Sequence, residues 1–137
     1  MKSTKQFNWL DQLIQKFRFG IFLPLLKTSD KILDVGCGAK PYLAELQQFY
    51  NYVGIDKKLS AAENTSVKLL KLDIELAAAL PFADESFDKI ICAALLEHLN
   101  QPDKFLKEAR RLLKPDGLLI ITTPTPPTKI ILESLAR

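Results

Sequence analysis

At 137 residues, with 47% hydrophobic and 26% charged residues, the chain has the length and composition of one soluble globular domain. Its formal net charge of +3 is too small to indicate a nucleic-acid partner. Its apolar stretches are shorter than the roughly eighteen residues of a membrane span, and the polar N-terminus gives no signal-peptide pattern.

The N-terminal segment is basic and has a helical pattern. Six lysines and arginines against two aspartates give residues 1–31 a formal charge of +4, which leaves the remainder at −1. Apolar residues at helical spacing predict an amphipathic helix over residues 7–26, ended or kinked by Pro24. These residues are Leu10, Leu13, Ile14, Phe17 and Ile21. The first interpretation is a helix packed on a sheet, and the second is a peripheral contact with a membrane or a lipid acceptor.

The segment from Lys31 to Pro41 is the most informative part of the chain. An apolar run containing Asp34 is followed by Gly36 and Gly38, which predicts a strand and then a tight turn. Glycines at such a turn let backbone amides approach a ligand closely. Pro41 suits the first position of a helix, which apolar spacing extends to about residue 49.

Two further predicted strands end in a carboxylate. Asn51–Asp56 is predicted as the second strand and Val67–Asp73 as the third, with a polar loop over residues 57–66 between them. The carboxyl ends of parallel strands meet at one edge of a sheet. These two acids and Asp34 are therefore expected to line one crevice.

The second half of the chain continues the alternation of helices and strands. Asp73–Leu80 is predicted to form one or two helical turns, and Phe87–Ala93 the fourth strand. Residues 101–113 predict a helix, residues 114–117 a turn, and Leu118–Thr123 the fifth strand. The fifth run is continuously apolar, as expected for a strand covered on both faces.

These segments resemble the S-adenosylmethionine-dependent methyltransferases of the Rossmann-like class, in particular the broad bacterial group with small-molecule, lipid or glycan acceptors. The resemblance covers about Lys31 to Pro127. Its motifs are ILDVGCG (Ile32–Gly38), GID (Gly54–Asp56), LD (Leu72, Asp73), LPFADESFD (Leu80–Asp88), LLEHL (Leu95–Leu99), FLKEARRLLKPDG (Phe105–Gly117) and LLIITTPTP (Leu118–Pro126). Lys40 stands where the family often has a third glycine, which adds side-chain bulk at the turn.

The resemblance implies an α/β fold with an open parallel sheet in the strand order 3-2-1-4-5 and helices on both faces. Residues 1–137 would form a single S-adenosylmethionine-binding domain. It would comprise an N-terminal helix (1–27), a core (31–123) and a shortened C-terminal segment (124–137).

The C-terminal segment is short for this family. Relatives add a further helix and an antiparallel pair of strands after the fifth strand, but only ten residues follow Pro127. We therefore expect those strands to be missing, and Ile130–Ala136 to be helical. The fifth strand would then be an exposed apolar edge. Such an edge either pairs with another copy of the chain or is covered by residues 130–135 folding back.

The resemblance also assigns partners to the parts of S-adenosylmethionine. Asp56 would accept hydrogen bonds from the ribose hydroxyls, and Asp34 would meet the ammonium group directly or through water. The remaining implied cofactor-binding residues are Gly36, Cys37 and Gly38 at the amino-acid tail, Asp73 and Ile74 at the adenine, Ala93 and Leu95 closing the crevice, and Lys57. The alternative roles of Asp34 and Asp73 are to cap the glycine turn and a following helix, respectively.

Titratable residues elsewhere give weaker signals. His98, the single histidine, lies beside Glu97 and is either a hydrogen-bonded structural residue or a weak candidate base. One histidine and two distant cysteines predict no metal site, and a reduced, buried Cys37 and Cys92 fit a cytoplasmic protein. Arg111 and its neighbour Arg110 are predicted to lie on a solvated helix face.

Three functions are compatible with these patterns. The first is a methyltransferase, since the sulfonium already activates the methyl group and no base with a fixed signature is required. The second is a non-catalytic protein that keeps the same fold for binding. The third is an NAD-dependent oxidoreductase, because Gly36 and Asp56 also fit that fingerprint, although Lys40 and Pro41 occupy the place of its last glycine.

Overall fold

A computed structural model describes residues 8–39, 41–46, 48–49, 51–59, 68–93, 95–122 and 130–133. Its strands form one sheet in the order β3-β2-β1-β4-β5-β6, in which the first five are parallel and β6 runs antiparallel to β5. The strands are β1 (Lys31–Val35), β2 (Asn51–Asp56), β3 (Lys68–Lys71), β4 (Phe87–Ala93), β5 (Leu113–Thr122) and β6 (Ile130–Glu133). The predicted parallel order 3-2-1-4-5 is confirmed.

Helices cover both faces of this sheet. They are α1 (Asn8–Phe22), α2 (Tyr42–Glu45) and α3 (Pro102–Leu112), with short 3-10 turns at Leu23–Leu25 and Leu96–His98. No helix among these described residues is both long and apolar enough to cross a membrane.

Two apolar clusters form the core, one on each face. Successive residues of a strand point to opposite faces, so Ile32 packs in one cluster and Leu33 in the other. Phe19 and Phe22 of α1 belong to the same cluster as Ile32. On the opposite face, α3 contributes Phe105, Ala109 and Leu112 to the cluster that contains Leu33. The predicted packing of the N-terminal helix on the sheet is therefore confirmed.

The expectation that antiparallel strands are missing is wrong for residues 130–133. These residues form β6, with Leu119 opposite Glu133 and Thr122 opposite Ile130. The predicted helix over Ile130–Ala136 is wrong for the same residues, and residues 134–136 lie outside the described part. An unpaired β5 edge would leave a row of backbone donors and acceptors without partners, and β6 supplies those partners. The edge is thus covered by chain folding back, as one of the two alternatives predicted.

Several helix and strand boundaries differ from the predicted ones near proline and turn residues. Helix α1 ends at Phe22, two residues before Pro24, and α2 spans only four residues, with Pro41 preceding its first residue. Strand β5 begins at Leu113, and its register against β4 shifts so that Phe87 pairs with Leu113 but Lys89 with Leu118. The predicted turn at residues 114–117 is therefore an irregularity within the strand, exposed over residues 114–116. Lys40, residues 60–67 and residues 123–129 lie outside the described residues.

Arg111 was expected to be solvated, and the structure corrects this. Its guanidinium donates to the carbonyl of Phe82 at 2.9 Å and to the carbonyl of Leu80 at 3.1 Å. It also pairs with the carboxylates of Glu108 and Asp84. These contacts raise the pKa of Arg111, chiefly through the hydrogen bond to Glu108. Arg111 therefore joins α3 to the segment that leads into β4.

Candidate active site

A cavity of about 550 Å³ lies at the carboxyl ends of the parallel strands. Residues that follow each of β1, β2, β3 and β4 line it. Nine of the eleven residues singled out in the sequence are on its wall: Gly36, Gly38, Asp56, Lys57, Asp73, Ile74, Ala93, Leu95 and His98. Residues at the ends of the strands therefore make up most of this cavity wall, as expected.

The turn after β1 depends on its two glycines. Gly36 and Gly38 have φ angles of +71° and +84°, in the left-handed region where side chains are strained. The amides of Gly36 and Cys37 both donate to the Ile55 carbonyl, at 2.8 and 3.2 Å, which fixes the turn against β2. A Cβ at Gly36 would lie 3.0 Å from Cδ2 of Leu95, whereas a Cβ at Gly38 would meet nothing within 4 Å. The backbone at Gly38 thus leaves space open beside the cavity.

The carboxylate of Asp56 is held in one orientation by two backbone amides. Gly38 donates to Oδ2 at 2.8 Å and Lys58 donates to Oδ1 at 2.7 Å. A carboxylate has about four acceptor positions, so each oxygen keeps capacity for a further donor. Two acceptors held side by side suit a vicinal diol.

Asp34 does not line the cavity, which corrects the expectation of direct contact with the ligand. It is 1% exposed and accepts a hydrogen bond from the Tyr52 hydroxyl at 2.5 Å. Burial raises the pKa of Asp34 to about 7; the Tyr52 hydrogen bond opposes this shift and the charge of Asp56 adds to it. The physical reason is the twofold alternation along β1, which directs Asp34 to the face where Tyr52 packs.

Cys37 is also absent from the cavity wall. It is half-buried, and burial together with the nearby charges of Asp34 and Asp56 raises the pKa of its thiol. Burial likewise raises the pKa of Cys92 to about 12. Both cysteines are free thiols, as expected, although only Cys92 is fully buried.

Asp73 has a capping contact and also lies on the cavity wall. Its Oδ1 accepts the Glu75 amide at 3.0 Å, and its carbonyl accepts the Ala77 amide at 3.2 Å. It therefore starts a single helical turn, the shorter of the two lengths predicted there. Its side chain also lines the cavity next to Ile74, so a structural contact does not remove it from the wall.

His98 lies on the cavity wall with little to orient it. Its side chain is 74% exposed, and Nε2 is 3.7 Å from Oε1 of Glu97. A proton acceptor in catalysis needs a defined position relative to the substrate, which this contact alone does not provide. In the described part of the chain, no group of three histidine, cysteine or acidic residues could hold a metal ion.

Sequence reasoning missed five residues of the wall, Ile55, Lys58, Leu72, Glu75 and Leu99. Each is one or two positions from a residue that was singled out, so extending the strand-end motifs outward would have found them. Glu75 also links two segments, because its oxygens accept the Asn100 amide at 2.5 Å and the Asn100 side-chain amide at 3.2 Å. The connection after β3 is thereby held against the segment that precedes α3.

Comparison with known proteins places this architecture among methyltransferases. The protein MJ0638 of Methanocaldococcus jannaschii is 35% identical over 118 residues, which is 83% of this chain and 50% of that protein. A ubiquinone biosynthesis O-methyltransferase of Pelagibacter ubique is 34% identical over 99 residues, or 68% of this chain and 41% of the enzyme. A tRNA (carboxymethyluridine(34)-5-O)-methyltransferase of Arabidopsis thaliana is 34% identical over 104 residues, or 74% of this chain and 26% of that enzyme.

The fold comparison agrees. A SAM-dependent methyltransferase of Archaeoglobus fulgidus matches with a TM-score of 0.66 at 20% identity, over 82% of this chain and 53% of that one. The chain spans about half or less of the length of the three sequence relatives. The profile of the family described as "Methyltransferase domain" matches residues 33–121, from β1 to the end of the β5 apolar run. The chain therefore belongs to the methyltransferase-domain family, in which S-adenosylmethionine is the cofactor.

Proposed function

We propose that the cavity binds S-adenosylmethionine and that the protein transfers its methyl group to a small-molecule, lipid or glycan acceptor. One observation carries the proposal, namely that residues following four parallel strands converge on a single cavity of about 550 Å³. That volume lies within the range of ordinary small-ligand sites. Family membership favours this reaction over the dinucleotide oxidoreductase considered above.

The cavity wall suits each part of the cofactor. Asp56, fixed by the Gly38 and Lys58 amides, would accept the two ribose hydroxyls. The open backbone at Gly38 would receive the amino-acid tail. Asp73 and Ile74 would meet the adenine amino group and ring face, and Leu95 also lines the cavity.

The burial of Asp34 changes the expected recognition of the ammonium group. Because Asp34 is 1% exposed and bonded to Tyr52, the ammonium would be met by backbone carbonyls of the glycine turn. Asp34 then acts as a support behind that turn. A buried acid whose pKa is raised to about 7 is also a weak source of negative charge at neutral pH.

Catalysis in this proposal rests on binding and orientation. The bound cofactor supplies a methyl group that its sulfonium already activates. The protein's contribution is to hold that group in line with an acceptor atom, which lowers the entropic part of the barrier. Replacement of His98 by alanine tests proton transfer separately, since an oriented nucleophile can lose its proton to water.

The acceptor class is inferred from charge and from the relatives. The net charge of +3 gives little attraction for a polyanion, which favours a small acceptor over a nucleic acid. Among the relatives, one is named for ubiquinone biosynthesis and one for tRNA modification. The name of the first relative fits a small or lipid acceptor. The name of the second indicates tRNA, which is therefore the acceptor to be tested against this proposal.

Titration of the full chain with S-adenosylhomocysteine tests cofactor binding, with NADH as the control ligand. Saturable binding of the first and none of the second is expected, and the reverse would overturn the proposal. A screen with methyl-labelled cofactor against quinol, glycan and tRNA acceptors then tests transfer. Binding without transfer to any acceptor would favour the non-catalytic alternative, and transfer to tRNA alone would overturn the proposed acceptor class.

A further inference from the structure

Helix α1 has a second apolar face that is exposed in the described part of the chain. The side chains of Leu13, Phe17 and Ile21 are 55%, 67% and 40% exposed, and they follow one another at intervals of four residues. An α-helix turns about 100° per residue, so Leu13 and Ile21 lie within about 40° of Phe17. The three side chains form one continuous stripe, named here the outer stripe.

The outer stripe lies opposite the face that packs on the sheet. Phe19 and Phe22 are 6% and 0% exposed and belong to the core cluster on that side of the sheet. On the helix they lie about 140–160° from Phe17. Core packing therefore accounts for one face of α1 and leaves the outer stripe unexplained.

Basic residues flank the outer stripe on both sides. Lys16 and Arg18 each lie about 100° from Phe17, one to either side. Lys27 follows in the exposed turn after the helix, while Asp30 is buried and paired with Lys89 at 3.0 Å. Asp11 is the one acid within α1, and it lies one turn or more from Lys16 and Arg18. The surface around the stripe is therefore predominantly positive.

We propose that α1 binds the surface of an anionic lipid bilayer through the outer stripe. An apolar stripe with a basic residue on either side is the arrangement of a helix that lies in the plane of a membrane interface. The apolar side chains enter the acyl boundary, and the long basic side chains reach the lipid phosphates. The charge decides the occupant, because a second copy of this chain would bring like charges together.

Helix α1 packs close to the glycine turn that borders the cavity. Phe19 of α1 contacts Tyr42 of α2 with ring centroids 5.0 Å apart, and Tyr42 lies four residues after Gly38. The helix that meets the bilayer is thus packed directly against the helix that follows the glycine turn. The proposal does not depend on the proposed methyl transfer, since the outer stripe shares no residue with the cavity wall.

Co-sedimentation of the full chain with phosphatidylcholine vesicles, with and without phosphatidylglycerol, tests this proposal. Binding is expected only to the anionic vesicles and should decrease with added salt. Phe17→Glu should lower the affinity about tenfold or more, because it removes an apolar anchor and adds a negative charge. Leu76→Glu is the matched control, since Leu76 is 84% exposed but lies between β3 and β4.

Charge reversal provides the second arm. Lys16→Glu with Arg18→Glu should weaken binding about tenfold or more, since each basic residue near an anionic membrane adds to the attraction. Lys71→Glu with Lys107→Glu changes the net charge equally at exposed positions elsewhere and should leave binding intact. Circular dichroism confirms that each variant is folded.

Three outcomes would overturn the proposal. The first is no binding to anionic vesicles. The second is an equal effect of the outer-stripe and control variants. The third is a dimer that Phe17→Glu abolishes while vesicles are not bound, which would make a second copy the occupant.

Discussion

The amide of Gly38 donates to the carboxylate of Asp56 at 2.8 Å, which ties the turn after β1 to the end of β2. The two residues are eighteen positions apart in the chain, yet they form one rigid corner of the cavity. The second oxygen of Asp56 is held by the Lys58 amide at 2.7 Å. Asp56 therefore presents its remaining acceptor positions to the cavity without having to be reoriented on binding.

Asp56→Ala should weaken binding of S-adenosylhomocysteine by about 1.5–3 kcal/mol, the usual contribution of hydrogen bonds to a charged group. The loss of the hydrogen bonds from the Gly38 and Lys58 amides should weaken binding further, because they hold the cavity wall at Asp56 in place. Isothermal titration calorimetry measures the change directly. Asp116→Ala, at an exposed acid in the irregular part of β5, is the control and should bind as the unmodified chain does. Unchanged affinity in a folded Asp56→Ala protein would remove Asp56 from the site.

The two glycines of the turn should respond differently to alanine. At Gly38 the added methyl group meets open space, so Gly38→Ala should cost only the backbone strain, about 1 kcal/mol, while it intrudes on the cavity and weakens ligand binding. At Gly36 the methyl group lies 3.0 Å from Leu95, so the free energy of unfolding should fall further. Urea denaturation and calorimetry separate the two effects.

A double-mutant cycle tests the contact between Gly36 and Leu95. If the clash contributes, Leu95→Ala should destabilise the Gly36→Ala protein less than it destabilises the unmodified chain. The Gly38→Ala background is the control, because its added methyl group touches nothing within 4 Å. Equal costs of Leu95→Ala in all three backgrounds would contradict the contact.

The parallel part of the fold could be predicted because its signals are local. Apolar runs ending in acids marked the strands, and the glycine pair marked the turn that joins β1 to α2. Strand β6 could not be predicted, since a four-residue apolar run has no periodicity that separates a strand from a helix. These residues form a strand because they pair with the edge of β5, and that edge exists only in the folded sheet.

The cavity wall was predictable to the extent that strand ends converge in any parallel sheet. The burial of Asp34 was not predictable, because it depends on the register of β1 against β2. In that register Ile32 pairs with Tyr52, which brings the Tyr52 hydroxyl to Asp34. Arg111 was missed for a similar reason. Its acceptors include the backbone carbonyls of Leu80 and Phe82, about thirty residues earlier. Because every residue has a backbone carbonyl, a sequence pattern does not indicate which carbonyls accept a hydrogen bond from a side chain.

The buried pair of Asp34 and Tyr52 should make stability depend on pH. The pKa of Asp34 rises from 3.8 to about 7 on folding, mainly through burial. Between these values the folded chain keeps a proton that the unfolded chain releases, so its contribution is present below about pH 4 and is lost as the pH rises to about 7. Asp34→Asn removes this dependence, so the free energy of unfolding should vary less between about pH 4 and 7, by up to about 1.4 kcal/mol per pH unit.

Tyr52→Phe is the complementary variant. It removes the hydrogen bond that lowers the pKa of Asp34, so the pH-dependent loss should extend to higher pH. The protein should also be less stable by about 1–3 kcal/mol, because a buried acid loses its partner. Urea denaturation at several pH values measures both effects. The same pH dependence in Asp34→Asn as in the unmodified chain would assign the effect to other groups.

Strand β6 should protect β5 from pairing with another copy of the chain. In the sheet, Ile121 pairs with Ile131 and Ile120 with Leu132. Because successive residues of a strand alternate in direction, one of the backbone amides of Ile131 and Leu132 faces β5. Replacing both Ile131 and Leu132 by proline removes that donor and prevents the strand from forming. We expect amide exchange over residues 118–121 to become about tenfold faster or more. Concentration-dependent association should appear in sedimentation velocity, because the exposed edge is apolar.

The matched control replaces Ile131 and Leu132 by valine, which keeps both amides and the preference for a strand. This variant should remain as protected over residues 118–121 as the unmodified chain. If the proline variant stayed monomeric with unchanged exchange, β6 would have no protective role. Association in the proline variant without faster exchange would instead point to a surface other than the β5 edge, such as the outer stripe of α1, and adding Phe17→Glu to that variant would then abolish the association.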